Sequence, residues 1–459
     1  MKWEGTRVVI FGMARSGAAA AKVLAQLGAV VTLCDQKSSD ELTAVIRDLA
    51  GTGIKAVTGG YPTDISSATD LIIISPGVPL TIPPLVKAAE AGVPIWGELE
   101  LAYRLAKASI VAITGTNGKT TTTALIGQMF KDGDREVRVG GNIGVPLCQL
   151  AVEAAPPEVL VAEVSSFQLE TIHQFKPRVA VILNVTPDHL DRHGTFANYL
   201  NAKSMIFSQQ SEEDYTILNF DDHETRALAE KTSASVIFFS RQSDLNEGIC
   251  VVDGEVRVRL KGRETGVIPV KDIAIPGSHN LENALAAVAA GWVMGLEAPS
   301  LAHTLKTFPG VPHRLEFAGE YQGIRFINDS KGTNPDAAIK ALMSYRQPIV
   351  LIAGGRNKGG EFSSYAKLIR QKVKALVLVG EAAGQIEEAI VNEGYANYYR
   401  ADTFPAAVRK AAELAAAGDI VLLSPACASW DMFNNFEERG DVFKKTVSEI
   451  IEEWKAQIS

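Results

Sequence analysis

Lys119 stands between a glycine turn and a run of threonines, in the order Gly115-Thr116-Asn117-Gly118-Lys119-Thr120-Thr121-Thr122. These are the residue types that hold a nucleoside triphosphate. Backbone N–H groups of such a turn, and of the helix it opens, face the phosphates. Lys119 would bind the terminal phosphates, and the Thr120 hydroxyl would bind Mg²⁺. The loop is short: Gly115 lies three residues before Gly118, and position 113, where the longer form has its first glycine, is Ile. An ordinary glycine turn is the plainer reading. It is disfavoured because a β-branched strand, the turn, the lysine and the hydroxyls follow in order.

Other residues could act beside such a loop. Glu163 ends an apolar run, and an acid at the C-terminal end of a parallel strand points into the ligand crevice. Its chemistry there would be Mg²⁺ binding; capping the next helix is the alternative. The segment from Asn184 to Asp191 is rich in oxygen ligands and carries His189. Lys203 falls on the apolar face of a helix capped by Thr195, together with Phe196, Tyr199, Leu200, Ile206 and Phe207. Either its stem packs while the amine reaches water, or the amine is buried with a lowered pKa. A neutral amine can take up CO₂ as a carbamate, an anionic metal ligand. The residues by themselves leave the first reading in place. Asn280 and Asn283, one helical turn apart, suit an adenine edge or a helix cap. His313-Arg314 and Asn328-Asp329-Ser330-Lys331 add cationic and ribose-binding groups, and Lys358 lies in a glycine-rich loop suited to a carboxylate or phosphate.

The elements that must position these groups form three α/β stretches. In the first, Arg7 to Phe11 is a strand, Gly12 to Gly17 a turn, Ala18 to Leu27 a helix and Val30 to Cys34 the next strand; Asp70 to Gly77 is a second strand-to-turn unit. This reads as a doubly wound sheet with a ligand at the strand ends. Its turn lacks the GxGxxG spacing, so a dinucleotide is not indicated. Asp35 suits a ribose-binding acid or a turn residue equally. The second stretch begins near Gly97 and includes strands at Val159 to Glu163 and Val179 to Asn184. A strand-like region follows from about 212 to 275, then an Ala-rich helix opened by Gly277-Ser278-His279-Asn280. The third, from about Pro309, places strands at Ile349 to Ala353, Ala375 to Val379 and Ile420 to Leu423, again a doubly wound sheet.

Composition bounds the function classes. With 459 residues the chain exceeds one core, and 46% hydrophobic with 21% charged residues is a folded globular composition. A net charge of −8 argues against a general nucleic-acid binder. Four cysteines are scattered without CxxC spacing, which suggests reduced thiols in the cytoplasm. No apolar run is long enough to span a membrane. Glu4, Arg7 and Arg15 interrupt the N-terminal apolar stretch, which reads as folded protein and not as a signal peptide.

Taken together, these segments resemble the Mur ligases, the ATP-dependent amide-forming enzymes of bacterial cell-wall precursor synthesis. The resemblance rests on Gly115 to Thr120, Gly141-Asn142-Ile143-Gly144, Glu163 to Glu170, Asn184 to Arg192, His279-Asn280 with Asn283, Pro312-His313-Arg314 and Asp329 to Asn334. Gly354 to Lys358 and Ser424 to Phe433 point to the D-glutamate-adding branch. The likeness implies three domains: an N-terminal Rossmann-like UDP-substrate domain (1–97), a central P-loop ATPase-like parallel-sheet domain (98–310) and a C-terminal Rossmann-like amino-acid domain (311–459). It implies a cytoplasmic enzyme of peptidoglycan synthesis, expected to be a monomer, serving cell-wall biogenesis, cell shape and cell division.

The implied chemistry is attack of an L-alanyl carboxylate on the γ-phosphate of ATP, giving an acyl phosphate that the amine of D-glutamate then opens. Gly12, Met13, Ala14, Arg15, Ser16, Asp35, Ser75, Gly77, Asn142 and His189 are the implied contacts of UDP-N-acetylmuramoyl-L-alanine. Gly115, Thr116, Asn117, Gly118, Lys119, Thr120, Thr121, Asn280, Asn283, Arg314 and Asp329 would hold ATP. Lys331, Thr333, Lys358, Ser429 and Phe436 would hold D-glutamate. Two Mg²⁺ ions are implied, with Thr120, Glu163, His189 and a carbamylated Lys203 as ligands; Lys119, Glu163, His189 and Lys203 form the catalytic set. Trp430 departs from the pattern, which has a smaller apolar residue after the serine. A sister ligase adding L-alanine or a diamino acid would share the ATP site. So would a folylpolyglutamate-type ligase, which has no need of the first domain. A nucleotide-dependent switch or motor would need no amino-acid pocket, and a dinucleotide oxidoreductase would leave Lys119 unexplained.

Overall fold

Runs of β-branched and aliphatic residues with no polar alternation dictate strands buried on both faces, the mark of parallel sheets covered by helices. Leu71–Ile74, Val159–Glu163, Ile349–Gly354 and Ile420–Leu423 are buried at every position. A computed structural model describes residues 2–62 and 69–456. Its fold is α/β with three sheets.

The first sheet runs Lys55–Val57, Val30–Cys34, Arg7–Phe11, Leu71–Ile74, Ile95–Gly97 in spatial order, all parallel. The order reverses on either side of Arg7–Phe11, which puts the switch point, and the crevice it opens, at Gly12. The helix after Gly12 begins at Arg15 and not at Ala18, so Arg15 and Ser16 occupy its first turn. Gly17 is required there: a Cβ at this position would lie 1.9 Å from the Gly12 carbonyl oxygen.

The central sheet has nine strands. Ser109–Thr114 lies between Val179–Ile182 and Val159–Glu163, with all three parallel. The strand Val179–Ile182 stops two residues short of Asn184, leaving that residue in the crevice loop. At the far edge the sheet turns antiparallel through Glu255–Leu260 and Arg263–Pro269. There the sequence does alternate: Val256 and Val258 are buried, while Arg257 and Arg259 reach Glu264 at 2.5 and 2.9 Å. The third sheet runs Glu316–Tyr321, Ile324–Asn328, Ile420–Leu423, Ile349–Gly354, Val373–Val379, Tyr398–Arg400, with only the first strand antiparallel.

Two compact units result, one of Met1–Ile273 with Glu282–Lys306, the other of Ala274–Leu281 with Thr307–Ser459. In the first unit, the first and central sheets share one hydrophobic core, which includes Ile10, Leu33, Leu99, Leu147 and Leu160. Buried carboxylates on the helix Glu98–Leu105 fasten them further: Glu98 accepts from the Cys148 N–H at 2.6 Å, and Glu100 from the N–H groups of His173, Gln174 and Phe175. In the second unit a core lies on each face of the third sheet. All four cysteines are free and buried. Among the described residues, no helix is long and apolar enough to cross a membrane.

Candidate active site

The phosphate-type turn is built by backbone geometry. Gly118 has φ +87° and opens the helix Lys119–Asp132 with no side-chain cap, so the helix N-terminus presents its N–H groups. Only glycine fits, because a Cβ at 118 would lie 2.2 Å from the Asn283 Oδ1. Asn184 clamps the turn: its Oδ1 accepts from the Asn117 N–H at 2.9 Å, its Nδ2 donates to the Asn117 carbonyl at 3.1 Å, and its own carbonyl accepts from the Thr116 N–H. Thr116 Oγ1 donates to the Thr186 carbonyl and lies 3.2 Å from the Tyr199 hydroxyl. Thr121 is buried in the first helical turn, with its hydroxyl unpartnered among the described residues.

Two lysine amines meet on one carbonyl. Lys119 Nζ donates to Gly115 O at 2.8 Å and to Thr116 O at 2.9 Å, and Lys203 Nζ donates to the same Gly115 O at 2.9 Å. Lys203 is 1% exposed and lies 4.6 Å over the Tyr199 ring. Its amine therefore does not reach water, and the plainer reading of this residue is corrected. Burial first, then the Lys119 charge, pushes its pKa well below the ordinary lysine range; Asp188 and Glu163 oppose the shift. A helix does run from the Thr195 cap, but it ends at Ser204; Ile206 and Phe207 continue the buried face in a short 3₁₀ turn.

Glu163 is 2% exposed. Its Oε1 accepts from Asn142 Nδ2 at 2.8 Å, its carbonyl accepts from the Asn142 N–H at 2.8 Å, and its Oε2 is buried with no partner among the described residues. It caps nothing: the next helix is capped by Ser165, in a reciprocal box with Gln168. A buried carboxylate oxygen left open is costly unless a cation takes it, so Glu163 fits a divalent ion. His189 is in the left-handed conformation, φ +51°, and half-exposed, with Nε2 3.7 Å from an Asp188 carboxylate oxygen. No group of three or more His, Cys, Asp or Glu among the described residues is arranged to hold a metal. A metal centre here therefore needs the Thr120 hydroxyl or a modified Lys203 to complete its donors.

Sequence reasoning missed His193. Its Nε2 lies 3.0 Å from Ser166 Oγ and its Nδ1 3.3 Å from Glu170, and it stacks on Phe167 at 5.4 Å. His189 meets the edge of the same ring at 4.9 Å. The i, i+4 spacing of the two histidines was the available signal. Burial lowers the His193 pKa, so it supports the loop as a neutral ring.

A depression of about 390 Å³ opens at the switch point of the first sheet. Gly12, Ala14, Arg15, Ser16, Asp35, Ser75, Gly77 and Asn142 line it, and Tyr61, Pro76, Val78 and Gln168 join them unforeseen. Met13 and His189 do not line it. The Met13 side chain is 1% exposed in the core, while its N–H donates to Asp35 Oδ2 at 2.7 Å. The other Asp35 oxygen accepts from the Lys37 N–H at 3.0 Å, so Asp35 does the work of a turn residue while facing the cavity. Ser75 Oγ donates to the Gly12 carbonyl at 3.0 Å.

In the second unit, Asn280 Nδ2 donates back to the Pro276 carbonyl at 2.7 Å. Asp329 is 3% exposed and accepts from Ser424 Oγ at 2.8 Å; burial raises its pKa to about 6 against the pull of Arg314. Arg314 Nε is buried and unpartnered among the described residues. Burial, with Arg314 second, lowers His279 to about 4. Lys358 Nζ donates to Thr333 Oγ1 at 3.2 Å and lies 6.0 Å from the Trp430 ring; Lys331 Nζ lies 5.4 Å over Phe436. Ser429 is buried while Trp430 is 59% exposed. Arg439, not foreseen, is fully buried, donating through Nε to Ser330 Oγ and through Nη2 to the Ser330 and Cys427 carbonyls. It fastens the Asp329 loop to the Ser429 loop.

Residues 6–97 match the Mur ligase MurD-like N-terminal domain, 113–291 the Mur ligase middle domain, and 313–427 the Mur ligase glutamate ligase domain. The chain belongs to the Mur ligase family. This Mur ligase is 52% identical over 441 residues to the UDP-N-acetylmuramoylalanine--D-glutamate ligase of Pelotomaculum thermopropionicum, covering 96% of this chain and 97% of that protein. It is 48% identical to the protein of the same name from a Thermoanaerobacter species, covering 98% of this chain and all of that one. Among solved structures it shares the fold of the UDP-N-acetylmuramate-alanine ligase MurC of Thermotoga maritima, with a TM-score of 0.60 at 21% identity over 96% of this chain and 99% of that one. It also shares the fold of the MurF ligase of Thermotoga maritima solved with ADP, with a TM-score of 0.59 at 17% identity over 88% and 92% of the two chains.

Proposed function

We propose that this Mur ligase joins D-glutamate to UDP-N-acetylmuramoyl-L-alanine, coupling amide formation to the cleavage of ATP to ADP and phosphate in cytoplasmic peptidoglycan precursor synthesis. Its full-length relatives bear that name. The observation that carries the chemistry is the pair of lysine amines on the Gly115 carbonyl, beside the open Glu163 oxygen. The Lys119 ammonium, with the divalent cations that Glu163 and a carbamylated Lys203 would hold, puts positive charge where a triphosphate and a carboxylate, both anions, must approach each other.

The residues divide accordingly. Residues 1–97 take the UDP substrate, 98–310 ATP and 311–459 the amino acid, in a chain acting as a monomer. Gly12 to Ser16, Asp35, Ser75, Gly77 and Asn142 hold the nucleotide sugar. The N–H groups of Gly115 to Thr121 and the Lys119 ammonium cradle the phosphates. Asn280, Asn283, Arg314 and Asp329 are assigned to the nucleotide. Lys331, Thr333, Lys358, Ser429 and Phe436 are assigned to D-glutamate, two of them cations for its two carboxylates. Thr120, Glu163, His189 and a carbamylated Lys203 would hold Mg²⁺ in two sites, where it would supply Lewis-acid neutralisation of phosphate charge. A Lys203 amine of lowered pKa is the form that adds CO₂, releasing one proton.

In the reaction, the L-alanyl carboxylate oxygen bonds to the γ-phosphorus and ADP leaves. The D-glutamate amine, in its neutral form, then attacks the acyl carbon, the C–O bond breaks, and phosphate departs with the former carboxylate oxygen and the proton that the nitrogen gives up. Lys119 steadies the migrating phosphoryl charge throughout. The test is phosphate release with ATP, Mg²⁺ and UDP-N-acetylmuramoyl-L-alanine, adding D-glutamate, L-glutamate, L-alanine or a diamino acid singly. Turnover with D-glutamate alone, one amide per phosphate, is expected. Turnover with another amino acid overturns the assignment of the acceptor, and steady hydrolysis with no acceptor overturns the ligase.

A further inference from the structure

The cavity of the first sheet is lined by two charged side chains, Arg15 and Asp35. Asp35 already accepts a backbone N–H on each oxygen. Arg15, in the first turn of the helix Arg15–Gln26, is exposed, and that turn holds no acidic residue and no side-chain cap. An anion at this end of the cavity therefore meets uncapped helix N–H groups and one guanidinium.

Arg15 also reaches out of the first sheet. Its Nη2 donates to the carbonyl of Asn142 at 2.9 Å, which uses one of five N–H donors. Asn142 is held from its other side by Glu163, through its backbone N–H and through Nδ2, both at 2.8 Å. Glu163 in turn keeps Oε2 open beside the phosphate turn. A continuous chain of polar contacts thus runs from the cavity wall to the carboxylate assigned to the metal: Arg15 to Asn142 to Glu163. All three residues belong to one compact unit.

We propose that Arg15 is a positioning residue that binds the diphosphate of the nucleotide sugar while holding the Asn142 carbonyl, so that filling the cavity fixes Asn142 and, through it, Glu163. This rests on the nucleotide-sugar reading above and adds a link between the two ligand sites. A diphosphate immobilises the guanidinium, the guanidinium immobilises the Asn142 peptide, and the Glu163 carboxylate loses freedom that Mg²⁺·nucleotide binding would otherwise have to remove. Each ligand then binds more tightly in the presence of the other, by the same factor.

The experiment is titration calorimetry on the full chain, comparing wild type, Arg15→Leu and Arg15→Lys. Ligands are UDP-N-acetylmuramoyl-L-alanine, uridine and Mg²⁺·ADP, the last with and without saturating nucleotide sugar. Because Arg15 is exposed, equal thermal melts are the check that all three proteins fold. For Arg15→Leu, nucleotide-sugar affinity is expected to fall about 10- to 100-fold, the worth of a charge-assisted phosphate contact. Uridine affinity, which involves no phosphate, should stay unchanged, and Arg15→Lys should recover part of the loss. In wild type the nucleotide sugar should tighten Mg²⁺·ADP by about 5-fold or more; in Arg15→Leu that factor should fall to one. Equal losses for uridine and nucleotide sugar overturn the diphosphate contact, and an unchanged coupling factor in Arg15→Leu overturns the link to Glu163. A wild type that binds no nucleotide sugar overturns the functional reading itself, a result distinct from either.

Discussion

Asp329 makes this enzyme less stable as pH rises, and replacing it should reveal by how much. The carboxyl is buried and its pKa is raised from 3.8 to about 6, with burial the main cause. A carboxylic acid with a raised folded-state pKa binds its proton more tightly in the folded chain. The stability this group contributes is therefore fully present below pH 3.8 and is lost as pH climbs through about 6. The full loss is about 3 kcal/mol at 1.36 kcal/mol per pKa unit, and about 1 kcal/mol of it has already gone by pH 4.5. Asp329→Asn cannot ionise. Between pH 4.5 and 7.5 the variant should gain on wild type by about 2 kcal/mol, a factor of about 30. Hydrogen exchange at the buried strand Ile420–Leu423, whose sheet opens with the second unit, reads this directly. The ratio of protection factors, variant over wild type, should rise about 30-fold across that range. An absolute offset of about 1 kcal/mol against the variant is expected at every pH, since an amide does not fully replace the carboxyl as acceptor of the Ser424 hydrogen bond. A ratio that stays flat with pH, or that moves in favour of wild type, would refute the reasoning. The same variant should lose nucleotide affinity, so stability and function part company at this residue.

Other substitutions test other parts of the site. Glu163→Gln should weaken Mg²⁺·ADP about 100-fold while leaving metal-free ADP unchanged, measured by calorimetry, because it removes the charge on the open oxygen. Gly118→Ala should abolish nucleotide binding and lower the melting temperature: the positive φ costs about 1–2 kcal/mol before the clash with Asn283 is counted. In CO₂-depleted buffer wild-type turnover should fall and bicarbonate should restore it, whereas Lys203→Met should be inactive by at least about 100-fold and indifferent to bicarbonate. Trp430→Leu should raise KM for D-glutamate severalfold with kcat nearly unchanged, since the ring lies 6.0 Å from the Lys358 amine assigned to that substrate.

Much of this was legible because the groups concerned are read by local pattern. Lys119 follows its glycines directly, and Glu163 ends a run that can only be a buried parallel strand. Lys203 shows where local pattern stops. Helical spacing placed it on an apolar face, but whether its amine escaped to water depended on the Gly115 carbonyl, 88 residues earlier in the chain, accepting its hydrogen bond. Asp35 had two readings for a related reason: the Lys37 N–H is a local contact two residues on, but the Met13 N–H is brought to it by the turn after the first strand. Arg439 and His193 were invisible because each is a polar residue whose burial is created by partners distant in sequence or by a ring that stacks on it. The helix at Arg15 began three residues earlier than expected since Gly17 lets the chain pass close to the Gly12 carbonyl, a contact that spacing does not announce.

The central claim is that a carboxylate is activated by phosphoryl transfer before the amine attacks. Its most direct test is to supply UDP-N-acetylmuramoyl-L-alanine with both L-alanyl carboxylate oxygens isotopically heavy, together with ATP, Mg²⁺ and D-glutamate, and to weigh the products by mass spectrometry. The account predicts one heavy oxygen in each phosphate released and one retained in the new amide. Light phosphate, formed at the same rate with or without D-glutamate, would contradict it.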